Sequence, residues 1–368
     1  MATISGQPNI DIIFTQKAVT AVNRSERGVL LVFVEDEKQT SQGVTKFVYK
    51  YETDINDNDW SDVNLRALKR MFLTAVNKVY VLRGNSDTKL KEYTSIAETL
   101  KYNYVCTTKA ELQQELGNYV KTFNTKSQGK KVVAVVKDIT TADSKFIINV
   151  KGDWVHDTIN DVKEDMTNYL PRLASVLCNL PLNRSITYYT LSDIDDVDNS
   201  FIDGDTTTYD TLVDKGYLTL FKDDDVIKVG RGVNSLVSIT STDTEDMRKI
   251  IIVESMNLIL EDLYSTFKEY YVGKYKNHLD NQRLFITSVN AYFRSLADEE
   301  ILDSEYDNRC KVDIEAQRLA WLSVGKTEAE DWSDVKVEEM TFKSYVYLSG
   351  NIKILDAIED LKFNITME

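Results

Sequence analysis

Two runs of uninterrupted apolar residues, Val29-Leu30-Leu31-Val32-Phe33-Val34 and Val132-Val133-Ala134-Val135-Val136, constrain this chain most. A strand with one face in water alternates apolar and polar residues, so a continuous apolar run predicts a strand covered on both faces. Strand-like segments also occur at 47–51, 79–82 and 146–150. Amphipathic helices are expected between them. Val63, Leu65, Leu68, Met71, Phe72 and Val76 recur at helical spacing, and 91–100 and 109–123 read as two further helices. A helix over 161–180, interrupted at Pro171, closes the series. This alternation predicts a layered α/β or mixed α+β architecture up to about residue 235.

Downstream the pattern changes. Residues 192–210 are acidic, threonine-rich and without apolar periodicity, which reads as a surface loop. A hairpin is expected where 219–221 and 226–229 flank Asp223-Asp224-Asp225. Ile250, Ile251, Val253, Met256, Ile259, Leu260, Leu263 and Phe267 mark a long helix over about 246–271, with a second over 281–296 and a shorter one over 315–324. Residues 342–348 form a β-rich run, and 356–360 look briefly helical.

Both ends carry alternating segments. Ile10, Ile12 and Phe14 share one face near the start; Leu361, Phe363, Ile365 and Met367 share one face at the end, opposite Lys362, Asn364 and Thr366. Each such strand needs a sheet edge. Pairing within the chain and joining a neighbour's sheet both satisfy that need.

Composition narrows the function classes. The 368 residues carry a formal charge of −15, which repels phosphate backbones and anionic lipid heads, so neither nucleic acid nor membrane is expected as a partner. No apolar run reaches 18 residues, so no membrane span is predicted, and the first residues lack the basic and apolar regions of a secretory signal. Three cysteines, Cys106, Cys178 and Cys310, lie far apart, which argues against a disulfide framework and for synthesis in a reducing compartment.

Chemical motifs fail one by one. Ala320-Trp321-Leu322-Ser323-Val324-Gly325-Lys326-Thr327 ends like a phosphate-binding loop but has Ala320 at the first glycine position, so Gly325 reads as a helix C-cap. Gly230-Arg231-Gly232 lacks the third glycine of a dinucleotide fingerprint and reads as a turn. Asp193, Asp195, Asp196, Asp198, Asp203 and Asp205 suit a solvated acidic loop, with a weak cation site as the alternative; placing Gly204 at the EF-hand turn puts Phe201 at a ligand position. His156 and His278 lie in different elements with no nucleophile nearby. Tyr264, Tyr270, Tyr271 and Tyr275 suit packing better than base stacking on so acidic a chain. No catalytic, cofactor-binding or metal-ligating residue is assigned.

Over nearly its whole length the chain resembles the contractile tail sheath proteins of contractile-tailed phages and of phage-tail-like bacteriocins of Gram-positive bacteria. The resemblance is carried, in order, by Ser25-Glu26-Arg27-Gly28-Val29, Gly129-Lys130-Lys131, Thr141-Ala142-Asp143-Ser144 and Tyr217-Leu218-Thr219-Leu220-Phe221. It continues through Val229-Gly230-Arg231-Gly232-Val233-Asn234-Ser235-Leu236, Tyr271-Val272-Gly273-Lys274-Tyr275 and Asp313-Ile314-Glu315-Ala316-Gln317-Arg318, and ends with residues 350–360. It implies a structural subunit, not an enzyme, which needs no cofactor. Such subunits self-assemble into stacked hexameric rings and a helical sheath around an inner tube, with baseplate and tail-terminator proteins as further partners. They are made in the bacterial cytoplasm and end in an extracellular particle.

By the same resemblance, 1–20 is an N-terminal arm bearing Ile10, Ile12 and Phe14, and 350–368 is a C-terminal arm bearing Leu361, Phe363 and Ile365. Residues 21–235 form an outer α/β region and 236–349 an inner, tube-facing domain, with the strand 342–348 in the sheet that receives a neighbour's arms. Arg283 and Arg294 are the basic side chains expected to face the tube. The competing expectation is a soluble α/β enzyme or nucleotide-binding protein whose site leaves no motif.

Overall fold

A computed structural model describes residues 22, 24 and 26–367. In chain order the first elements are β1 (Val29–Glu35), β2 (Thr45–Tyr49), α1 (Asp62–Arg70), β3 (Lys78–Gly84), α2 (Leu90–Ala97), β4 (Tyr104–Thr107), α3 (Gln113–Lys126), β5 (Val133–Lys137) and β6 (Ile147–Val150). There follow β7 (Trp154–Asp157), β8 (Val162–Asp165), α4 (Met166–Asn179), β9 (Thr190–Leu191), β10 (Ile194–Val197), α5 (Tyr209–Asp214), β11 (Tyr217–Leu218), β12 (Leu220–Asp223) and β13 (Val226–Val229). The rest is α6 (Ile250–Tyr270), α7 (Leu279–Asp298), β14 (Arg309–Val312), α8 (Ile314–Ser323), α9 (Asp334–Glu339) and β15 (Leu348–Asn351).

The main sheet has seven strands in the order β11-β6-β5-β4-β1-β3-β2, all parallel to their neighbours except β2, which runs antiparallel to β3. Its central strand shows why the apolar run is continuous. Val29, Leu31 and Phe33 pack with Tyr93, Ala97, Leu116 and Val120 of α2 and α3. Leu30, Val32 and Val34, pointing the other way, pack with Leu68, Leu170, Leu173 and Leu177 of α1 and α4. Both faces of β1 are thus sealed by helices, the three-layer arrangement that a parallel sheet requires.

Helix α4 corrects one expectation. Residues 162–165 are not helical but form β8, the return strand of a hairpin with β7, and Asp161 takes φ +52 in the turn. The helix starts one residue after Asp165, whose carboxylate accepts the Thr167 N–H at 2.8 Å as an N-cap. Nor does Pro171 interrupt it. Twelve of its fourteen residues are buried, so packing on both sides outweighs the one backbone hydrogen bond that proline removes.

Smaller sheets follow: β10-β7-β8, β12-β13-β9 and the pair β14-β15. The acidic segment 192–210 is less loop-like than expected, because Ile194 and Val197 are buried while β10 pairs with β7. Asp193 is buried with it; Tyr169 donates its hydroxyl to that carboxylate at 3.0 Å, and Arg172 Nε lies 3.3 Å away. The hairpin β12–β13 turns as expected, with Asp224 at φ +52.

The long helices α6 and α7 pack through Leu258, Ile259, Phe285, Val289, Tyr292 and Phe293. A separate small cluster, Ala329, Trp332 and Val337, seats α8 and α9. The strand expected over 342–348 lies further on, over 348–351, pairing antiparallel with β14. Asn277 explains the shift: its amide donates to the carbonyls of Lys343 and Tyr345 at 3.0 and 2.9 Å, and Lys343 takes φ +47. Those carbonyls are therefore spent on a side chain, and Phe342 stands edge-on to Trp321 at 5.0 Å. Residues 356–360 form no helix and have no regular structure.

Candidate assembly surfaces

The C-terminal segment divides into a bound part and a free part. Leu355 donates its N–H to the carbonyl of Ile301 at 3.0 Å, and Ile354 bridges Leu302. Three acids then meet two bases: Lys249 Nζ lies 2.5 Å from Asp356 Oδ2 and 3.1 Å from Glu359 Oε2, and Arg231 Nη2 lies 2.6 Å from Asp360 Oδ1. Thr187 donates its hydroxyl to Glu359 Oε1 at 2.5 Å. These contacts hold Lys249 and Arg231 above their ordinary pKa values against the opposing effect of burial, and Asp360 below its own.

After Asp360 no hydrogen bond or ion pair to another described residue follows. Leu361, Phe363, Ile365 and Met367 are 89%, 74%, 72% and 90% exposed, and no residue of 361–367 belongs to a strand of this chain. The strand expected from sequence is not paired within the described residues, and its apolar side chains are as exposed as its polar ones. Ile10, Ile12 and Phe14 lie outside the described residues.

Arg283 and Arg294 are both exposed on α7. Arg283 reaches Glu338 of α9 at 3.4 Å, whereas Arg294 has no ion-pair partner among the described residues. At the N-terminal end of the same helix, Phe267, Tyr271, Tyr275 and Phe285 line a cleft of about 450 Å³, closed on one side by Lys343 and Val346. The tyrosines of this region pack on aromatic neighbours, Tyr271 on Phe267 with parallel rings 6.0 Å apart.

The motif-like segments take the structural roles expected of them. Gly325 sits at φ +84 after α8 and donates its N–H to the carbonyl of Leu322, while Lys326 donates to that of Trp321, a helix C-cap. Gly230 and Gly232 let their loop approach Thr219 and Thr187, where a Cβ would come within 2.6 and 3.1 Å of the hydroxyls. His156 is held by Asp195 at 2.7 Å, which raises its pKa. All three cysteines are buried and free, and among the described residues no three His, Cys, Asp or Glu side chains gather as a metal site. No helix of the described residues is long and apolar enough to cross a membrane.

Sequence reasoning missed the cluster of Lys249 and Arg231 with the tail. One signal was available: the acids at 356, 359 and 360 fall within five residues immediately before the alternating strand.

Residues 242–368 match the phage tail sheath C-terminal domain. The tail sheath protein of Clostridium phage phiCD119 is 28% identical over 376 residues, covering 99% of this chain and 100% of the phage protein. The sheath tail protein of Desulfitobacterium hafniense has a similar fold, with a TM-score of 0.66 at 14% identity over 83% of this chain and 94% of that one. The helical sheath of the anti-feeding prophage in its contracted state matches over 99% of this chain and 100% of that one, with a TM-score of 0.70 at 11% identity. The expectation of an enzyme or nucleotide-binding protein is overturned by this kinship. Residues 242–368 thus match the phage tail sheath C-terminal domain, and over its whole length the chain is similar to a phage tail sheath protein and shares the fold of contractile sheaths, the likeness of a structural subunit and not of an enzyme.

Proposed function

We propose that this subunit polymerises as stacked hexameric rings around an inner tube and that the polymer contracts to drive the tube through a target envelope. The observation that carries the reading is the terminal segment 361–367, whose alternating apolar side chains are exposed along its whole length. A second subunit offers a place for it, since β14 and β15 pair only with each other among the described residues and leave two sheet edges open. Seven extended residues reach about 23 Å, far enough to cross to a neighbour. Because donor and acceptor surfaces differ, the contact is head-to-tail, the kind that closes into rings or opens into helices.

Strand donation also suits contraction. Backbone hydrogen bonds to a donated strand survive while the bodies on either side rotate, so rings can change packing without coming apart. In this reading 1–20 and 350–368 are the arms, 21–235 faces outward and 236–349 faces the tube, with Arg283 and Arg294 toward it. Baseplate and tail-terminator proteins cap the polymer; the anti-feeding prophage sheath resolved with its baseplate supports the first of these.

Electron microscopy of the purified chain, alone and with a supplied tube, tests the reading beside variants lacking residues 1–18 or the residues after Asp360. Hollow striated tubes from the full chain, lost in either truncation, are expected. Full-length chains that stay compact even with a tube present overturn it. Charge reversal of both Arg283 and Arg294 is expected to abolish assembly around the tube; unchanged assembly removes them from the tube interface.

A further inference from the structure

We propose that Lys249 and Arg231 form an ionic latch that clamps residues 356–360 onto their own subunit and fixes the point, between Asp360 and Leu361, from which the terminal strand departs. The latch joins segments far apart in the chain. Arg231 comes from the loop after β13, Lys249 from the residue before α6, and Thr187 from the segment before β9. Gly232 donates its N–H to Thr187 Oγ1 at 2.8 Å, which ties the Arg231 loop to the hydroxyl that holds Glu359.

The burial contrast across the latch is what makes it a pivot. The Glu359 side chain is 4% exposed, although it belongs to a segment without regular structure. Ile358, its neighbour, is 99% exposed, so apolar burial does not hold this stretch; charge does. A carboxylate that far from water needs its cation, and removing one partner is far more disruptive than screening a surface pair. Beyond Asp360 no hydrogen bond or ion pair among the described residues continues the hold.

The consequence for assembly rests on reading 361–367 as a donated strand. A closed latch leaves seven residues free; an open one adds five, or about 16 Å of slack. The latch therefore sets how far one subunit reaches to the next, and a fixed reach is what gives a uniform ring spacing.

Spin labels test this in the purified full chain. The three native cysteines are buried, so Ile358→Cys and Phe363→Cys can each be labelled selectively. The label at 358 is expected to be restricted and the one at 363 fast, with rotational correlation times differing by about fivefold or more. Lys249→Glu combined with Arg231→Glu is expected to bring 358 to the mobility of 363. Asp356→Lys with Asp360→Lys, changes on the exposed tail that leave the core intact, are expected to loosen 358 as well. Equal mobility at 358 and 363 in the unaltered latch, or a label at 358 indifferent to both sets of substitutions, overturns the proposal. A label that responds as expected in a chain that never assembles supports the latch and overturns strand donation instead.

Discussion

Gly129 lies flat against the ring of Tyr264, so close that a Cβ on the glycine would stand 1.9 Å from Tyr264 Cδ1. The contact joins the loop before β5 to the middle of α6, two segments that bury different cores. Glycine is required here for want of a side chain, not for an unusual backbone angle. Gly129→Ala is expected to displace the ring and cost about 1–3 kcal/mol in urea unfolding. Tyr264→Ala, neutral or mildly destabilising alone, is expected to recover most of that loss in the double variant, because the two changes share one contact. Additive losses would show that the glycine serves another purpose.

Arg70 pairs with Asp157 where both side chains are almost wholly buried, and Arg70 Nη2 also lies 3.5 Å from Glu164. Burial alone would raise the Asp157 pKa, but hydrogen bonds from Asn160, Arg70 and the Ile159 N–H outweigh it and hold the pKa down. Arg70→Met strands that carboxylate and is expected to cost about 3–5 kcal/mol near neutral pH. A depressed folded pKa stabilises above the unfolded carboxylate value, near pH 4, and the contribution disappears as pH falls through the folded value. The gap between the two proteins should therefore narrow on acidification below about pH 4, as read by denaturant midpoints.

Lys130 offers a slope of opposite origin. Burial lowers its pKa to about 8, and its ammonium sits 3.9 Å above the Tyr102 ring while donating to the Leu100 carbonyl at 3.0 Å. Because the folded pKa lies below the unfolded one, the unfolded chain binds more protons between about pH 8 and 10, and stability rises with pH across that window. Lys130→Met removes this slope, which cannot exceed about 1.4 kcal/mol per pH unit for one proton. Subtracting the stability of the variant from that of the unaltered protein at several pH values isolates it.

The terminal strand predicts a period-two pattern in assembly. Phe363→Asp and Ile365→Asp put charge on the apolar face; Lys362→Glu and Asn364→Asp put it on the other. All four positions lie in an exposed segment, so the stability of the monomer should move by less than about 0.5 kcal/mol. On the proposed strand donation only the first pair is expected to abolish tubes under the microscope, since a receiving sheet buries one face of a donated strand.

What could be read from the chain alone was whatever depends on near neighbours. The sealed strand β1, the helices α6 and α7, the C-cap at Gly325 and the alternation of 361–367 all declare themselves within a dozen residues, because periodicity and capping are local physics. Where local signals competed with distant ones, sequence misled. Residues 342–347 look like a strand, yet Asn277, more than sixty residues earlier, takes the carbonyls a strand would use. Pro171 looks like a break, yet surrounding layers carry the helix through it. The latch belongs wholly to tertiary structure: Arg231 and Asp360 are 129 positions apart, and nothing in either segment names the other. Which charges meet is decided by how the layers stack, and stacking is settled by the core beneath them.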